Sequence, residues 1–229
     1  MQWLHIKPLH STVMPLVVDQ LELGPIGTNT YLVRSSPSAA EAVVVDPSGD
    51  AETIQQALAA VGARCTAILV THGHFDHIVS LADLADQTGA PVYAPAGERI
   101  LIEEPGAFTP PGITVRPATA DTWLDGGEKV EAAGISFAVT EVPGHSPGHL
   151  AYFADGELFS GDVLFAGSVG RTDLPGADWD TLEASIASLL GAYPPETIVH
   201  PGHGPETTLA TELAGNPFLS ALRGTRTRR

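Results

Sequence analysis

Seven consecutive residues, Thr71-His72-Gly73-His74-Phe75-Asp76-His77, hold three imidazoles and a carboxylate within six positions. Crowding so many coordinating groups is costly unless a cation binds them, and imidazole with carboxylate suits zinc, manganese or iron. Gly73 leaves room for close backbone approach, which fits a tight ligand loop. The bland alternative is a polar surface loop, but adjacent histidines are rarely incidental. Three further clusters extend the case: His145 and His149 in PGHSPGH, Asp162 in SGD, and His200 and His203 in HPGHG. Each follows an apolar run and opens a glycine-rich loop, where a rigid scaffold usually carries its site residues. A loop at a strand end can turn His72 and His74 toward one point, and Asp76 and His77 toward a neighbouring one.

The elements that must position these loops are legible as periodicities. Strands are predicted over 16–23, 30–33 and 42–45. A helix over 50–61 follows, with Asp50 as its N-cap and Gly62 as its stop. The continuous apolar run 67–71 predicts a strand buried on both faces. A helix over 78–87, a strand over 91–93 and a short helix over 98–102 come next, and the Pro- and Gly-rich stretch 105–117 reads as a loop. In the second half, 130–132 and 135–142 flank Gly134, and 150–153 and 158–160 flank Asp155-Gly156, so two hairpins are predicted. A helix over 179–190 begins at Asp178 or Asp180, and a last strand covers 198–200. Two βα-rich halves of similar plan predict an α/β fold: two sheets face to face with helices outside, a four-layer α/β/β/α sandwich.

Composition narrows the partners. The chain has 229 residues and a formal net charge of −16, from 11 Lys and Arg against 27 Asp and Glu. That balance argues against nucleic acid, whose binding is dominated by cation–phosphate contacts. Cys65 is the single cysteine. A disulfide framework within the chain and a Cys-rich zinc module are therefore excluded, and Cys65 reads as a small buried residue. The apolar runs are strand-length, well short of the roughly 20 residues of a membrane span. The start of the chain lacks the pattern of a signal peptide. A soluble, cytoplasmic protein with no membrane partner is expected. Met14 reads as a natural start, residues 1–13 with His5 and His10 as an extension without a role, and residues 220–229 as a basic, solvated tail. Leu101, Ile102 and Phe108 are apolar positions that fit either a homo-oligomer interface or a lid.

In four motifs taken in order, THGHFDH, PGHSPGH, SGDVLF and HPGHG, the chain resembles the metallo-β-lactamase superfamily over most of residues 14–219. The resemblance implies the same sandwich, with a dinuclear metal site along one edge. It implies that His72, His74 and His145 hold one ion, that Asp76, His77 and His203 hold the second, and that Asp162 bridges them. His149 and His200 match no ligand position and read as supporting residues. Zinc is the first expectation for the two divalent ions, with iron or manganese as alternatives. Two such ions add about +4 against the two charges of Asp76 and Asp162, so a hydroxide is held strongly. That lowers the pKa of water toward neutrality, and the ions also polarise a carbonyl. Asp76 and Asp162 are therefore read as catalytic as well as ligating.

Within the superfamily, zinc-type lactamases usually place a Cys where Asp162 stands, which disfavours antibiotic hydrolysis. Nuclease branches carry a large insertion where only about forty residues separate Asp162 from His203. The run GDVLFAGSVGRTD, residues 161–173, resembles glyoxalase II and the small bacterial hydrolases similar to it. In glyoxalase II a basic residue at the position of Arg171 helps hold the glutathione part of the thioester, and a guanidinium suits a carboxylate. The alternative for Arg171 is an internal ion pair with Asp173. The match has two departures. Asp173 replaces an aromatic residue, and the helical domain that completes the glutathione pocket has no counterpart in residues 204–229. The chain is read as a glyoxalase II-like metallohydrolase cleaving small-molecule thioesters, S-D-lactoylglutathione or a similar acyl-thiol, through a metal-bridging hydroxide. The runner-up is a persulfide dioxygenase, a branch that also carries Gly-Arg-Thr-Asp and would use one iron on His72, His145 and Asp162. A binding module that has lost catalysis ranks third, since none of the seven ligand positions is lost.

Overall fold

The protein is described here from a computed structural model covering residues 15–225. The expected extension 1–13, with His5 and His10, and the last four residues of the basic tail lie outside the described residues.

The first sheet contains β1 (Val17–Leu23), β2 (Thr28–Arg34), β3 (Glu41–Val45), β4 (Arg64–Leu69), β5 (Val92–Pro95) and β6 (Thr122–Leu124), side by side in that order. Strands β1 to β3 are antiparallel, and β3 to β6 are parallel. The second half supplies β7 (Lys129–Ala132), β8 (Ile135–Glu141), β9 (Leu150–Ala154), β10 (Glu157–Gly161), a small hairpin of β11 (Leu164–Phe165) and β12 (Ser168–Val169), then β13 (Ile198–Pro201) and β14 (Thr207–Thr208). The second sheet runs β14-β13-β10-β9-β8-β7, with β10 and β13 parallel and the other pairs antiparallel. Helices α1 (Ala51–Ala60), α2 (Phe75–Ile78), α3 (Leu81–Thr88) and α4 (Arg99–Glu103) belong to the first half, and α5 (Trp179–Ala192), α6 (Leu209–Gly215) and α7 (Ser220–Thr225) to the second.

The layers follow from the two-residue period of strands, which sends alternate side chains to opposite faces. Val43, Val45, Ala67 and Leu69 meet Phe137, Leu150, Tyr152 and Phe159 between the sheets. Their neighbours Val44, Ile68 and Val70 face Ile54, Leu58, Leu81 and Leu84 of the outer helices. On the far side Ala151, Leu158 and Val199 pack against Leu182, Ile186 and Leu189 of α5. Three apolar layers between four layers of elements make the expected α/β/β/α sandwich. Asp50 caps α1 and Asp178 caps α5, each side chain accepting a hydrogen bond from a first-turn amide.

Several details differ from the periodicity. The predicted helix over 78–87 starts three residues later, at Leu81 of α3, and Ile78 instead ends α2, because Ser80 sits between the two and its hydroxyl donates to the carbonyls of Pro47 and Ser48. Strands β6, β11, β12 and β14 are two or three residues long, too short to carry a pattern. Residues 220–225 form helix α7, and Arg223 donates to the carbonyl of Ala214 at 2.8 Å, so the basic stretch begins as packed structure. Among the described residues, no helix is long and apolar enough to cross a membrane.

The strand directions bring the motif loops together. β3, β4 and β5 end at one edge of the first sheet, where β2 begins. In the second sheet β8, β10 and β13 run the same way, and β9 begins where they end. The two edges are tied across the sandwich: Asn29 N donates to Gly202 O and Leu150 N to Thr71 O, each at 2.8 Å.

Candidate metal centre

The HxHxDH loop leaves the end of β4 and enters α2, so His72 and His74 precede the helix while Asp76 and His77 lie on it. His145 follows β8, Asp162 follows β10 and His203 follows β13. All seven side chains meet at the tied edge, and His72, Asp76, His77, His145 and Asp162 are buried. Three groups each bring their ligand atoms within 4.8 Å of one another: His72, His74 and His145; His72, His77 and Asp162; and Asp76, His77 and His203.

Hydrogen-bond partners fix which ring nitrogens face inward. A carbonyl or carboxylate oxygen can only accept, so the nitrogen beside it carries the proton. His145 Nδ1 is 2.9 Å from the Arg171 carbonyl, His203 Nδ1 is 3.3 Å from the Gly27 carbonyl, and His77 Nδ1 is 2.9 Å from Asp46 Oδ2. Thr71 gives its hydroxyl proton to Asp46 at 2.7 Å and so accepts from His72 Nδ1 at 3.1 Å. Four imidazoles are thereby oriented with Nε2 toward the centre. His74 Nδ1 lies 3.0 Å from both His72 Nε2 and His145 Nε2. One proton cannot satisfy three converging nitrogens, whereas a cation between them can.

The second group repeats the problem with carboxylates. Asp76 Oδ2 lies 3.3 Å from both His77 Nε2 and His203 Nε2. Asp162 Oδ1 is 3.4 Å from His77 Nε2, and its Oδ2 is 3.5 Å from His145 and 3.6 Å from His203. His77 Nε2 and Asp162 Oδ1 are buried without a hydrogen-bond partner. Such atoms are costly unless something positive lies between them. Nitrogen and carboxylate donors around two adjacent points fit two divalent cations, with Asp162 facing both.

Titration behaviour follows the same division. Burial, reinforced by neighbouring imidazoles, pushes His72 well below its usual range and His74 down to about 4. Burial opposes charge on His77 as well, but Asp76, Asp162 and Asp46 outweigh it and raise that imidazole well above its usual range. His203 is likewise raised to about 10 by Asp162 and Asp76 against the cost of burial. Burial raises Asp76, yet His77, His203 and Thr28 together bring it down to about 2. Asp162 is held well below the usual carboxylate range, chiefly by His77 against desolvation.

Asp46, Thr28, Glu98 and Asn29 contribute to the centre and were not singled out from sequence, unlike His149 and His200. Asp46 accepts from Thr71 N, Thr71 Oγ and His77 Nδ1, and adopts a positive φ of 51°. Its sequence signal was only a strand end. Thr28 donates to Asp76 at 2.7 Å. Glu98 is buried and accepts from the amides of Gly73 and Gly148, tying two ligand loops together. Asn29 donates to the carbonyls of Pro201 and Gly204 and so holds the His203 loop. His149 stacks on His72 at 4.6 Å, and its Nε2 accepts from Asp162 N. His200 is turned away, paired with Glu157 at 2.7 Å.

Above the centre lies a cavity of about 790 Å³ whose lining includes His74, His145 and His203 together with Ile26, Leu101, Phe108, Phe165 and Leu174. Leu101 and Phe108 line this cavity, but Ile102 is fully buried in the helix-side core and serves neither a lid nor an interface. Arg171 also lines the cavity, and its guanidinium is held by both oxygens of Asp173 at 2.6 and 2.7 Å.

Comparison with known proteins agrees with this geometry. The profile described as the metallo-beta-lactamase superfamily matches residues 23–203. The chain is 37% identical over 208 residues to the probable metallo-hydrolase YqgX of Bacillus subtilis, covering 89% of this chain and 97% of that protein. It is 33% identical over 189 residues to the hydroxyacylglutathione hydrolase GloC of Haemophilus influenzae, covering 79% and 88%. Among solved structures it is similar to the B3 metallo-beta-lactamase BLEG-1, with a TM-score of 0.83 and 41% identity over 89% of this chain and 100% of that one. It is also similar to TTHA1623 in a di-iron-bound form, with a TM-score of 0.77 and 40% identity over 88% and 100%.

Proposed function

The chain belongs to the metallo-beta-lactamase superfamily, and from that premise we propose that it is a metal-dependent hydrolase of small-molecule thioesters. The reading is carried by the convergence of imidazole and carboxylate donors on the floor of a largely apolar cavity. Its likeness to a hydroxyacylglutathione hydrolase adds the thioester, with S-D-lactoylglutathione or a similar acyl-thiol as the leading substrate. In this proposal His72, His74 and His145 hold one divalent ion, and Asp76, His77 and His203 hold the second. Asp162 faces both. Bound there, the ions would supply a water acidified to act near neutral pH and an electrophile for the carbonyl oxygen.

The chain's own residues do the rest. Asp76 and Asp162 remain ionised and so supply the negative charge that retains two cations in a buried place. Asp46, with Thr71, fixes the rings of His72 and His77 by taking up their outward protons. Buried amides and packed strand ends keep this constellation rigid, which limits the reorganisation needed during reaction. The cavity walls hold the substrate arms and exclude water from them.

Two other reactions have a specific observation behind them. The likeness to a B3 metallo-beta-lactamase keeps β-lactam hydrolysis in view, although Asp162 stands where zinc-type lactamases usually place a Cys. The likeness to a di-iron-bound structure keeps iron in view as the metal, while persulfide oxygenation would call for a single iron on His72, His145 and Asp162. The deciding experiment is metal analysis of protein purified without added metal, followed by assay with S-D-lactoylglutathione, a β-lactam, and glutathione persulfide with oxygen uptake. Two ions per chain with thioester turnover supports the hydrolase. Its absence, with turnover of either other substrate, replaces the hydrolase. His72→Ala and Asp162→Ala are expected to lose metal and abolish turnover while retaining the fold by circular dichroism.

A further inference from the structure

We infer that Glu98 is the positioning residue of one half of the centre: it sets the grip on the ion of His72, His74 and His145 and leaves the ion of Asp76, His77 and His203 to other supports. The inference rests on the two-ion reading of the centre and not on the choice of substrate. Glu98 is fully buried, and a carboxylate is costly to bury unless its oxygens accept hydrogen bonds. Each oxygen takes a different backbone amide. Oε1 accepts from Gly148 N at 2.7 Å, and Oε2 accepts from Gly73 N at 3.3 Å. Gly73 stands between His72 and His74, and Gly148 follows His145 in the loop after β8. One side chain therefore fixes the spacing of the two loops that carry all three imidazoles.

His74 is the ligand that depends most on this bond. The rings of His72, His77, His145 and His203 each have an oxygen beside the outward Nδ1. Among the described residues, the His74 ring comes within hydrogen-bond distance only of His72 and His145, which are themselves ligands. With no outward bond on its ring, the place of His74 is set by its backbone, and the amide just before it is the one that Glu98 holds. Packing supports the same clamp. A Cβ on Gly148 would stand 2.6 Å from Gly97 Cα, and one on Gly73 would stand 2.6 Å from Leu101 Cβ. Segment 97–101 thus lies directly on both loops. The other ion's ligands are held elsewhere: Thr28 donates to Asp76, Asp46 pairs with His77, and Gly27 O and Asn29 hold His203 and its loop. Asp46 also reaches His72 through Thr71 and so serves both ions, whereas Glu98 bonds the loop segments of one.

The test loads the full chain with cobalt(II) and separates the two ions. Chelator competition gives a dissociation constant for each. Paramagnetic proton NMR assigns it, since the Nδ1 protons of His72 and His145 shift with one ion and those of His77 and His203 with the other. Glu98→Gln keeps the size of the side chain but turns an NH2 toward one of the two amides. It is expected to weaken the ion of His72, His74 and His145 about 10- to 100-fold, the usual cost of losing an outer partner. The ion of Asp76, His77 and His203 should change by less than about threefold, as for sites with no shared support. Thr28→Val, which removes the donor to Asp76, should reverse the pattern. Gly148→Ala, which pushes the β8 loop off segment 97–101, should repeat the Glu98→Gln pattern, and it decides the question if Glu98→Gln does not fold by circular dichroism. Weakening of both ions alike, of the other ion alone, or of neither overturns the inference alone. Wild-type protein that takes up a single cobalt ion overturns the two-ion reading with it.

Discussion

Asp46 shows how much of the centre depends on a side chain that touches no ligand-facing atom. Its carboxylate orients His77 directly and His72 through Thr71, and also accepts from Thr71 N. Removing such a partner typically costs 10- to 100-fold in metal affinity. Asp46→Ala is expected to weaken binding by roughly that factor in a chelator competition; unchanged affinity would mean the rings are held by packing alone. Proton balance supplies a second residue-scale prediction. With no cation bound, His77 and His203 are charged at pH 7, one raised well above the usual range and the other to about 10. A cation must displace those protons, so affinity should rise with pH up to about 10, and calorimetry in buffers of different ionisation enthalpy should detect proton release at pH 7. The cation-free chain should behave oppositely in stability. The raised His203 stabilises it fully below its ordinary 6.5 and loses that contribution as pH climbs through about 10. The lowered Asp76 contributes above its ordinary 3.8 and loses its share as pH falls through about 2.

At the scale of elements, loops rather than strands set the ligand positions, and close backbone approach is their common device. A Cβ on Gly202 would stand 2.7 Å from His77 Cε1 and collide with Asp162 Oδ1. Gly202→Ala should therefore displace the β13 loop and lower metal affinity at least about tenfold, while far-ultraviolet circular dichroism stays unchanged. Full affinity in that variant would show that the loop has slack. Glu98 plays the complementary part from the short 3-10 turn Ala96–Glu98 outside both sheets, since Gly73 and Gly148 belong to different halves of the chain and share its carboxylate.

For the whole molecule, the centre sits where two separately patterned halves meet, so cation binding and sandwich closure are coupled. Chelation should lower the melting temperature, and restoring the metal at 100 times its Kd should return about 2.7 kcal/mol of stability. A melting temperature indifferent to chelation would show that the halves close without the ions. Much of this architecture was legible. The unbroken apolar run before Thr71 announced a strand buried on both faces, because both faces needed covering. Asp50 announced one helix start through its side-chain chemistry and Asp178 or Asp180 another, of which the structure puts Asp178 at the cap. The start of the helix read over 78–87 was placed three residues early because the bonds that set it, from Ser80 to Pro47 and Ser48, come from a distant loop.

By itself, the sequence determined which groups are available and that each motif follows a strand, since ligand type and strand period are local properties of the chain. It left Asp46, Thr28, Asn29 and Glu98 indistinguishable from ordinary polar residues at turns. Only the tertiary structure decided which imidazole nitrogens face inward, which carboxylates stay charged, and that the exposed apolar side chains of Ile26 and Phe108 share one cavity with an Arg171 paired to Asp173. Hydrogen bonding, desolvation and charge act across a few ångströms of space, and residues such as Gly27 and His203, 176 positions apart in the chain, become neighbours only when the two sheets close.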